Sequence, residues 1–461
     1  MVTRSKNGIF KLKAFQVSKH PMPTVVEPTC ASQALKHIVW KQAMSDEFNA
    51  LMKNGTWSLV PPQPHYNVIR NKWVFRIKRN TDGSIARHKA RMVAKGFHQR
   101  PGLDFKETFS PVIKPQTIKI VLCLALSRNW SICHMDVNNA FLHGLITEEI
   151  YMSQPAGFVH PTFPHHVCKL HKALYSLKQA PRAWFHALKI FLVQYGFQNS
   201  KTDTSLFIYS AGSCIIYFLV YVDDILLTEN DLTFLHNFKY ALAEEFSLKD
   251  LGFPNHFLGI EILTTAQGLF LTQHHYIRQL LERANMTDSK PVSTPMSSSF
   301  SLVISLDSST CDAHLYRNLV GALHYLSLTR PDIAFSVNKL SQSMQALTTT
   351  HMQALKRILR YLKLTVDHGL HLTKSPTLSL TAFCDAVFHS RTKHLAIDYH
   401  FVCDLVSQNK LKVAHVPSSH QLADLLTKPL SSSRHDFLKN KIGVVDFASI
   451  LRGHVGILSN C

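Results

Sequence analysis

The sequence lacks closely spaced cysteines, a secretory leader and any long uncharged apolar run. Its nine cysteines are scattered along 461 residues without a CxxC pair, which excludes a disulfide framework and favours a reduced, intracellular setting, cytoplasmic or nuclear. His165, Cys168 and His171 have a spacing that suggests zinc, but no partner pair follows. We therefore interpret all nine cysteines as core or neutral positions, and we expect no membrane partner.

Acidic residues are also scarce. The chain has 30 Asp and Glu against 50 Lys and Arg, a net charge of +20, which favours a polyanionic partner. Nucleic acid is the usual one, because cations neutralise its phosphates, although a basic membrane-surface or ribosome-like protein would share this charge. The apolar fraction of 46% excludes wholesale disorder, and the length allows roughly two to four domains.

One apolar run contains an adjacent acidic pair, Asp223 and Asp224. The run spans residues 215–227 (IIYFLVYVDDILL) and is shorter than the roughly 20 residues of a membrane span. Its β-branched and aromatic residues predict two buried strands that meet at a tight turn, with both carboxylates at the tip. Buried carboxylates are costly unless a metal, a cation or water compensates them. Taken alone, the run also fits a polar turn between two core strands.

A second strand-like run places another carboxylate, Asp136, near its end. The run spans residues 131–144 (SICHMDVNNAFLHG). One aspartate and an adjacent pair on neighbouring strands form the carboxylate set that two Mg²⁺ ions, about 3.5–4 Å apart, need for in-line phosphoryl transfer. We therefore predict that Asp136, Asp223 and Asp224 are catalytic and bind two Mg²⁺ ions, with Mn²⁺ as the alternative ion.

Three motifs together resemble the polymerase of copia-type LTR retrotransposon Pol polyproteins. They are HMDVNNAFLHG, KLHKALYSLKQAPRAWF (169–185) and YVDD, and the similarity runs from about Ser5 to Ile442. The resemblance implies an α+β right-hand polymerase, with fingers, a palm built on an antiparallel sheet and a helical thumb and connection. It also implies an RNA-directed DNA polymerase (reverse transcriptase) that uses an RNA or DNA template, a primer and deoxynucleoside triphosphates. The oligomeric state stays open.

The resemblance also suggests how the chain is divided. We expect a leader or linker at 1–35, fingers and palm at 36–263, thumb and connection at 264–372, and a ribonuclease H-like remnant at 373–461. Because no capsid, protease or integrase portion precedes the leader, we expect a fragment of such a polyprotein. Apolar periodicity predicts helices at 36–56, 118–127, 181–192, 231–246, 273–285, 316–328, 331–347 and 350–364.

Two strand-like runs, 72–78 and 85–97, flank a turn sequence and predict a β-hairpin. Residues 71–100 contain nine Lys and Arg but one acid. A solvated basic hairpin would explain this composition. The resemblance instead implies a fingers hairpin whose cations bind the triphosphate, with Lys78, Arg79 and Arg91 as the candidates.

The motifs imply further contacts with the nucleotide and the template. Phe141, five residues after Asp136, matches the bulky residue that reverse transcriptases place under the sugar, where it would exclude a 2′-hydroxyl; a core position is the alternative. The 169–185 segment resembles the element that lies against the template and the nascent base pair. The template or primer contacts implied there are Lys178, Gln179, Pro181 and Arg182.

Two residues depart from the copia pattern. Ser176 replaces the glycine of YGLKQAPRAW, and Glu229 stands where family members commonly carry glycine. Glycine at such a place usually allows positive φ or a close backbone approach. The departures keep a second interpretation open, in which the chain is a catalytically decayed, nucleic-acid-binding remnant.

The C-terminal region resembles a shortened ribonuclease H domain. Asp385 in LSLTAFCD (378–385) matches the first of its metal-binding carboxylates, and Asp424 matches the last. The two carboxylates between them are missing, and 39 positions separate Asp385 from Asp424, too few for the lost sheet and helix. We interpret Asp398 as a surface acid and not as a substitute metal ligand. We expect an inactive remnant that is poorly ordered or irregularly docked.

Overall fold

The computed structural model describes residues 27–79, 84–298, 312–345, 347–384, 405–408 and 410–452. The chain divides into two compact units, which are described separately: unit 1 comprises Met1–Ser110 and Phe141–Ala187, and unit 2 comprises Pro111–Ala140 and Leu188–Cys461. The structure mixes α-helices and β-sheets, as the sequence predicts.

The strands and helices are numbered in chain order. The strands are β1 (Trp57–Val60), β2 (Val68–Ile69), β3 (Asn71–Arg79), β4 (Ile85–Ala94), β5 (Ser131–Val137), β6 (Tyr151–Met152), β7 (Val167–Leu170), β8 (Gln198–Asn199), β9 (Leu206–Ala211), β10 (Cys214–Tyr221), β11 (Asp224–Glu229), β12 (Leu248–Gly252), β13 (His256–Phe257), β14 (Ile260–Thr265), β15 (Gly268–Thr272), β16 (His368–Thr373) and β17 (Val444–Asp446). The helices are α1 (Ala31–Ala34), α2 (Ile38–Lys53), α3 (Pro115–Arg128), α4 (Ala180–Gln194), α5 (Leu232–Glu245), α6 (His274–Arg283), α7 (Ala313–Tyr325), α8 (Ala334–Ser341), α9 (Thr349–Leu364), α10 (Asp424–Thr427), α11 (Ser432–Lys441) and α12 (Phe447–Arg452).

Unit 1 contains a four-stranded sheet of order β1-β7-β6-β2 and the separate hairpin β3–β4. The hairpin confirms the prediction from the two basic runs. Its apolar residues alternate with its cations, so Trp73 and Phe75 are buried while every second residue faces away from the core. Helix α2 covers the apolar face through Trp40 and Met44, and the Trp40 ring meets the Phe75 ring edge-on at 5.4 Å.

Unit 2 is built on an antiparallel sheet of order β12-β5-β11-β10-β9-β8. The predicted hairpin in 215–227 is confirmed: β10 pairs with β11 from Ile216 opposite Glu229 to Tyr221 opposite Asp224. The strands are apolar because both faces of this sheet are covered. Ile118 and Leu122 of α3 pack in the same buried cluster as Leu226 of β11.

A second sheet of unit 2 has the order β13-β14-β15-β16-β17. Helices α6 to α9 form their own apolar core, whose buried residues include Ile277, Tyr316, Val337 and Ile358. These helices lie where apolar periodicity predicts them. Within the described residues, no helix has both the length and the apolar character that crossing a bilayer would require.

The C-terminal segment docks more regularly than we expected. Val444–Asp446 pairs antiparallel with His368–Leu370 and so extends the second sheet, while His435, Leu438 and Lys439 of α11 are buried. The prediction of irregular docking is therefore wrong for this part of the chain. The physical reason is that β17 satisfies backbone groups of β16 that would otherwise form an unpaired edge.

A buried ion pair lies beneath α9. Arg330 donates two hydrogen bonds to the Asp332 carboxylate, at 3.0 and 2.8 Å, and neither side chain is exposed. Thr365 accepts from Arg330 at 2.8 Å through its carbonyl oxygen, and the Tyr361 hydroxyl donates to Asp332 at 2.7 Å. Burial alone would raise the pKa of Asp332, but Arg330 and Tyr361 outweigh it and hold that pKa at about 2.

Candidate active site

Two of the three predicted catalytic carboxylates lie directly opposite each other in the sheet of unit 2. Strand β5 pairs with β11, and the register sets Asp136 against Asp224. Directly opposite residues of an antiparallel pair project from the same face, with Cβ atoms about 4.5–5.5 Å apart. Both carboxylates are partly exposed. The fold therefore brings together residues that are 88 positions apart in the sequence.

The third carboxylate belongs to the turn that joins β10 to β11. The carbonyl oxygen of Asp223 accepts a hydrogen bond from the Val137 N–H at 2.9 Å, which ties the turn to the residue after Asp136. Val222, the first central residue of the turn, has φ 56°, a conformation that β-branched residues rarely adopt and that hairpin turns usually give to glycine. Strain of about 1–3 kcal/mol of this kind clusters at active sites.

His134 contacts this group of carboxylates, and sequence reasoning missed it. Its Nε2 lies 3.1 Å from Oδ1 of Asp224. The available signal was strand alternation, because His134 lies two residues before Asp136 and so projects from the same face.

The carboxylates suit a hard divalent cation. Mg²⁺ and Mn²⁺ prefer carboxylate oxygens, and Asp136 and Asp224 supply them from one face, with Asp223 next to Asp224 in the chain. Across the described parts of the chain, no three His, Cys, Asp or Glu side chains already surround one point closely enough to hold an ion. The residue types, and the face that Asp136 shares with Asp224, fit the ion, whereas three ligands are not gathered around one point in the part of the chain that the structure describes.

The β3–β4 hairpin of unit 1 carries its cations on one face. The pairing register and strand alternation place Arg76, Lys78, Arg87, Lys89 and Arg91 on the face opposite the core. Arg79, at the exposed end of β3, follows a register shift. Burial lowers the pKa of Lys89, and the positive charges of Arg91, Arg87 and Lys78 lower it further. The face is therefore a concentration of positive charge, and Lys89 joins the predicted Lys78, Arg79 and Arg91.

Arg91 and Phe141, both predicted to bind the nucleotide, each contact the ring of Tyr175. Tyr175 was not among the predicted site residues. The Arg91 guanidinium lies 4.6 Å from the centre of the Tyr175 ring. The Phe141 ring meets the same tyrosine edge-on, with ring centres 4.9 Å apart. Tyr175 is held by its backbone, since its carbonyl oxygen accepts from the Ala94 N–H at 3.0 Å. Phe141 is thus a half-buried residue whose position depends on Tyr175.

The residues predicted to contact the template have different surroundings. Gln179 is only 1% exposed, and its amide donates to the Asp104 carbonyl oxygen at 3.1 Å and accepts from Gln99 at 3.0 Å. Gln179 therefore has a structural role instead of the predicted contact with the template, because its amide is buried and already hydrogen-bonded within the protein. Lys178 is exposed.

The other two predicted template residues lie in the first turn of helix α4. Pro181 is its second residue, a position where a missing backbone N–H costs no helical hydrogen bond. Arg182 forms ion pairs with Glu148 at 3.3 Å and with Glu107 at 3.5 Å. Both residues remain partly exposed.

Ser176, the first departure from the copia pattern, occupies a glycine-like conformation. Its φ is 69°, and a Cβ on the neighbouring Gly96 would lie 2.0 Å from its carbonyl oxygen. The two backbones approach too closely for a side chain at Gly96, and Ser176 itself is in the left-handed region that favours glycine.

We expect Ser176→Gly to stabilise unit 1 by about 1 kcal/mol, because it removes the steric cost of the left-handed conformation. For a domain of this size, that gain raises the melting temperature by about 2–4 °C. Ser176→Ala is the matched control, since it removes the hydroxyl and keeps the Cβ. An alanine variant as stable as the glycine variant would attribute the gain to the hydroxyl and contradict the backbone explanation.

Glu229, the second departure, is a buried carboxylate at the end of β11. It is 2% exposed, accepts a hydrogen bond from the Ser131 hydroxyl and leaves Oε2 without a hydrogen-bond partner. Burial raises the pKa of Glu229, and Ser131 and Lys239 offset this only in part. An ionised carboxylate at this position therefore lowers the stability of the sheet.

We expect the stability gained by Glu229→Gln to depend on pH. The folded-state pKa of Glu229 lies above its ordinary value of 4.5, so the cost of ionisation is absent below that value and complete once the pH exceeds the raised pKa. Urea unfolding at pH 4 and pH 8 should show a larger difference between variant and wild type at pH 8. Glu245→Gln, on an exposed helical position, is the control. A Glu229→Gln difference that does not change with pH would contradict this explanation.

The structure describes only one of the two predicted ribonuclease H residues, Asp424. Asp385 lies outside the described residues. Residues 378–384, the described part of the segment that resembles a ribonuclease H domain, form no strand, and Leu380 is 98% exposed. The carboxylate of Asp424 forms ion pairs with Lys428 at 2.9 Å and with Arg434 at 3.6 Å.

Comparison with known proteins identifies the family of the chain. The family described as "Reverse transcriptase (RNA-dependent DNA polymerase)" matches residues 54–298. Among curated relatives, the Pol polyproteins of the Arabidopsis thaliana transposons RE1 and RE2 are 44% and 42% identical, each over 96% of this chain. The Pol polyprotein of transposon TNT 1-94 from Nicotiana tabacum is 32% identical over 91% of this chain.

The chain spans little more than a third of these relatives, covering 36%, 37% and 39% of their lengths. The matched family includes Asp136, Asp223 and Asp224 within its bounds. The chain therefore belongs to the reverse transcriptase family of the copia-type retrotransposon Pol polyproteins.

Proposed function

We propose that this chain is an RNA-directed DNA polymerase that extends a primer on an RNA or DNA template with deoxynucleoside triphosphates. The pairing of Asp136 with Asp224, beside a turn that carries Asp223, is the observation that supports this function most strongly. The rest of the unit 2 sheet serves to hold these three carboxylates at the end of two central strands.

Asp136, Asp223 and Asp224 would hold the metal ions. Bound there, two Mg²⁺ or Mn²⁺ ions would activate the primer 3′-hydroxyl and neutralise the triphosphate, and pyrophosphate would leave. The chain contributes the orientation of the carboxylates. The hydrogen bond from Val137 to Asp223 holds the turn in one conformation despite the strain at Val222, so that little reorganisation is needed when the substrate binds.

The cationic face of the β3–β4 hairpin would bind the triphosphate. Lys78, Arg79 and Arg91, together with Lys89, present positive charge on a hairpin whose other face is anchored in the core. Charge-assisted hydrogen bonds from such side chains are among the strongest that proteins make with phosphate. Lys178, Pro181 and Arg182 are the proposed template or primer contacts.

The layout of a right-hand polymerase follows from these roles. We assign the β3–β4 hairpin to the fingers, the six-stranded sheet to the palm, and helices α6 to α9 to the thumb and connection. The proposed limits are 36–263 for fingers and palm, 264–372 for thumb and connection and 373–461 for the ribonuclease H-like remnant, preceded by a leader at 1–35.

We expect Phe141→Ala to let the polymerase incorporate ribonucleotides. Phe141 is proposed to exclude the 2′-hydroxyl, and its contact with Tyr175 keeps the ring in place. Single-nucleotide extension with rNTP and dNTP measures the effect: the ratio of kcat/KM for dNTP over rNTP should fall at least tenfold, about 1.4 kcal/mol. Phe158→Ala, which removes a half-buried ring stacked on Phe48 in the same unit, is the control. Unchanged discrimination in Phe141→Ala would assign Phe141 to the core.

We propose that the chain has no ribonuclease H activity. Two of the four required carboxylates are absent from the sequence, and Asp424 is engaged by Lys428 and Arg434. The alignment with the RE1 polyprotein extends over 532 residues, more than the 461 of this chain, so that relative contains residues in the matched region that have no counterpart here.

Primer extension by the purified chain, on a homopolymer RNA template with Mg²⁺, tests the proposed function. Extension that depends on the divalent ion supports it, and a label on the RNA strand reports ribonuclease H activity in the same reaction. Template binding should weaken steeply with salt, because phosphate contacts release counterions. Salt-sensitive binding without any extension would replace the proposal by a nucleic-acid-binding remnant.

A further inference from the structure

We propose that His134 is a positioning residue that holds the carboxylate of Asp224 ready to bind the catalytic ion. The inference rests on the proposed polymerase function and adds a fourth residue to its machinery. Its basis is the 3.1 Å contact between Nε2 of His134 and Oδ1 of Asp224. Reaching that oxygen as a donor requires the ring proton on Nε2.

The strand register explains why His134 reaches Asp224. Asp136 lies opposite Asp224, and His134 lies opposite Leu226. His134 and Asp136 are two residues apart on β5, so both project from the face that carries Asp224. A residue diagonally across an antiparallel pair is within reach of a long or aromatic side chain, and the imidazole spans this diagonal.

The imidazole also contacts a buried aromatic ring. Its ring meets that of Phe257 edge-on, with centres 5.5 Å apart and planes at 89°, and Phe257 is itself buried in the apolar core of unit 2. The side chain of His134 is 11% exposed, whereas that of Asp224 is 34% exposed. The contact therefore joins a fixed donor to an acceptor that remains open to solvent.

The chemistry of a carboxylate makes this contact useful. A carboxylate has two oxygens, so a hydrogen bond at Oδ1 leaves Oδ2 available to an ion. Without the donor, the Asp224 carboxylate could rotate, and binding the ion would have to restrict that rotation. Hydrogen bonds to metal-binding side chains typically contribute 10–100-fold to metal affinity or activity. His134 would supply this contribution without touching the ion or the substrate.

Three variants separate positioning from other roles. His134→Leu removes the donor and keeps an apolar side chain against Phe257. His134→Gln keeps an N–H that can reach Asp224, while His134→Asn keeps an amide on a shorter side chain. His371→Leu is the matched control, because His371 is a half-buried histidine of unit 2 whose Nε2 lies 3.1 Å from a hydroxyl, that of Thr265.

The measurements are Mn²⁺ binding to the nucleotide-free protein by electron paramagnetic resonance, template–primer affinity, melting temperature, and the kcat and KM of extension. We expect His134→Leu and His134→Asn to weaken Mn²⁺ binding 10–100-fold and to lower kcat. KM for the dNTP and the template–primer affinity should stay unchanged. His134→Gln should recover most of the Mn²⁺ affinity, and His371→Leu should bind Mn²⁺ as the wild type does.

Several results would overturn the inference. Wild-type Mn²⁺ affinity in His134→Leu would show that the contact orients nothing. Equal losses in His134→Gln and His134→Leu would show that the imidazole itself is required, as a ligand or a proton carrier. If His134→Leu fails to fold, the comparison of His134→Gln with His134→Asn decides the question. Asp223→Asn separates the two proposals, since Mn²⁺ binding and extension unaffected by that change would instead refute the proposed function.

Discussion

Asp223→Asn should abolish primer extension while template–primer binding stays nearly intact. The substitution keeps the size of the side chain and removes the charge that binds a divalent ion. Stabilisation of transition-state charge by such ions amounts to several kcal/mol, and each 1.36 kcal/mol is tenfold in rate, so we expect extension to fall by roughly 10³-fold or more. Rates from single-turnover extension and affinities from fluorescence anisotropy measure the two effects separately.

Asp231→Asn is the matched control for this experiment. Asp231 is the N-cap of α5, and its carboxylate accepts hydrogen bonds from the N–H groups of Thr233 and Phe234. Asparagine caps helices about as well as aspartate does. The Asp231→Asn substitution therefore makes the same chemical change in unit 2 as Asp223→Asn, without affecting the proposed site. Equal activity of Asp223→Asn and wild type would refute the catalytic assignment.

Asp332→Ala should lower the free energy of unfolding of unit 2 by about 3–5 kcal/mol. Removing one partner of a buried ion pair leaves the other charge buried and uncompensated. Arg330 would lose both hydrogen bonds to the carboxylate, and the Tyr361 hydroxyl would lose its acceptor. Urea denaturation followed by circular dichroism measures the change.

The pH dependence of this pair has a defined sign. The folded-state pKa of Asp332 is about 2, below its ordinary value of 3.8, so its contribution to stability is complete above the ordinary value and is lost as the pH falls through 2. Asp312→Ala, at an exposed helix cap, is the control and should cost about 0.5–2 kcal/mol. A loss in Asp332→Ala no larger than that of the control would show that the pair contributes little to stability.

The local elements could be predicted because their signals are local. The β10–β11 hairpin follows from two apolar runs around a two-residue turn, and the β3–β4 hairpin from two runs around a turn sequence. The helices follow from the spacing of their apolar residues. The placement of Asp136 and Asp224 at strand ends follows from the same local signals, because each is the carboxylate in or beside a strand-like run. The catalytic role of the three aspartates stays a prediction.

Roles that depend on neighbours from distant parts of the chain could not be predicted in this way. Gln179 was predicted as a template contact, yet Asp104 and Gln99, 75 and 80 residues earlier, bind its amide. Tyr175 became a candidate only when the fold placed it between Arg91 and Phe141. A side chain's role in such cases depends on which partner occupies its hydrogen-bonding groups or ring faces, and motif spacing does not contain that information.

The sequence by itself determined the mixed α/β composition, the basic charge and the two hairpins, and it made the three carboxylates candidates. Only the tertiary structure decided the register that sets Asp136 against Asp224, the contact of His134 with Asp224, and the docking of β17 on β16. The physical reason is that a strand's alternation specifies which residues share a face, but not which strand lies beside it. That choice is made by the packing of the whole sheet, since a shift of one residue in register would turn every side chain to the opposite face.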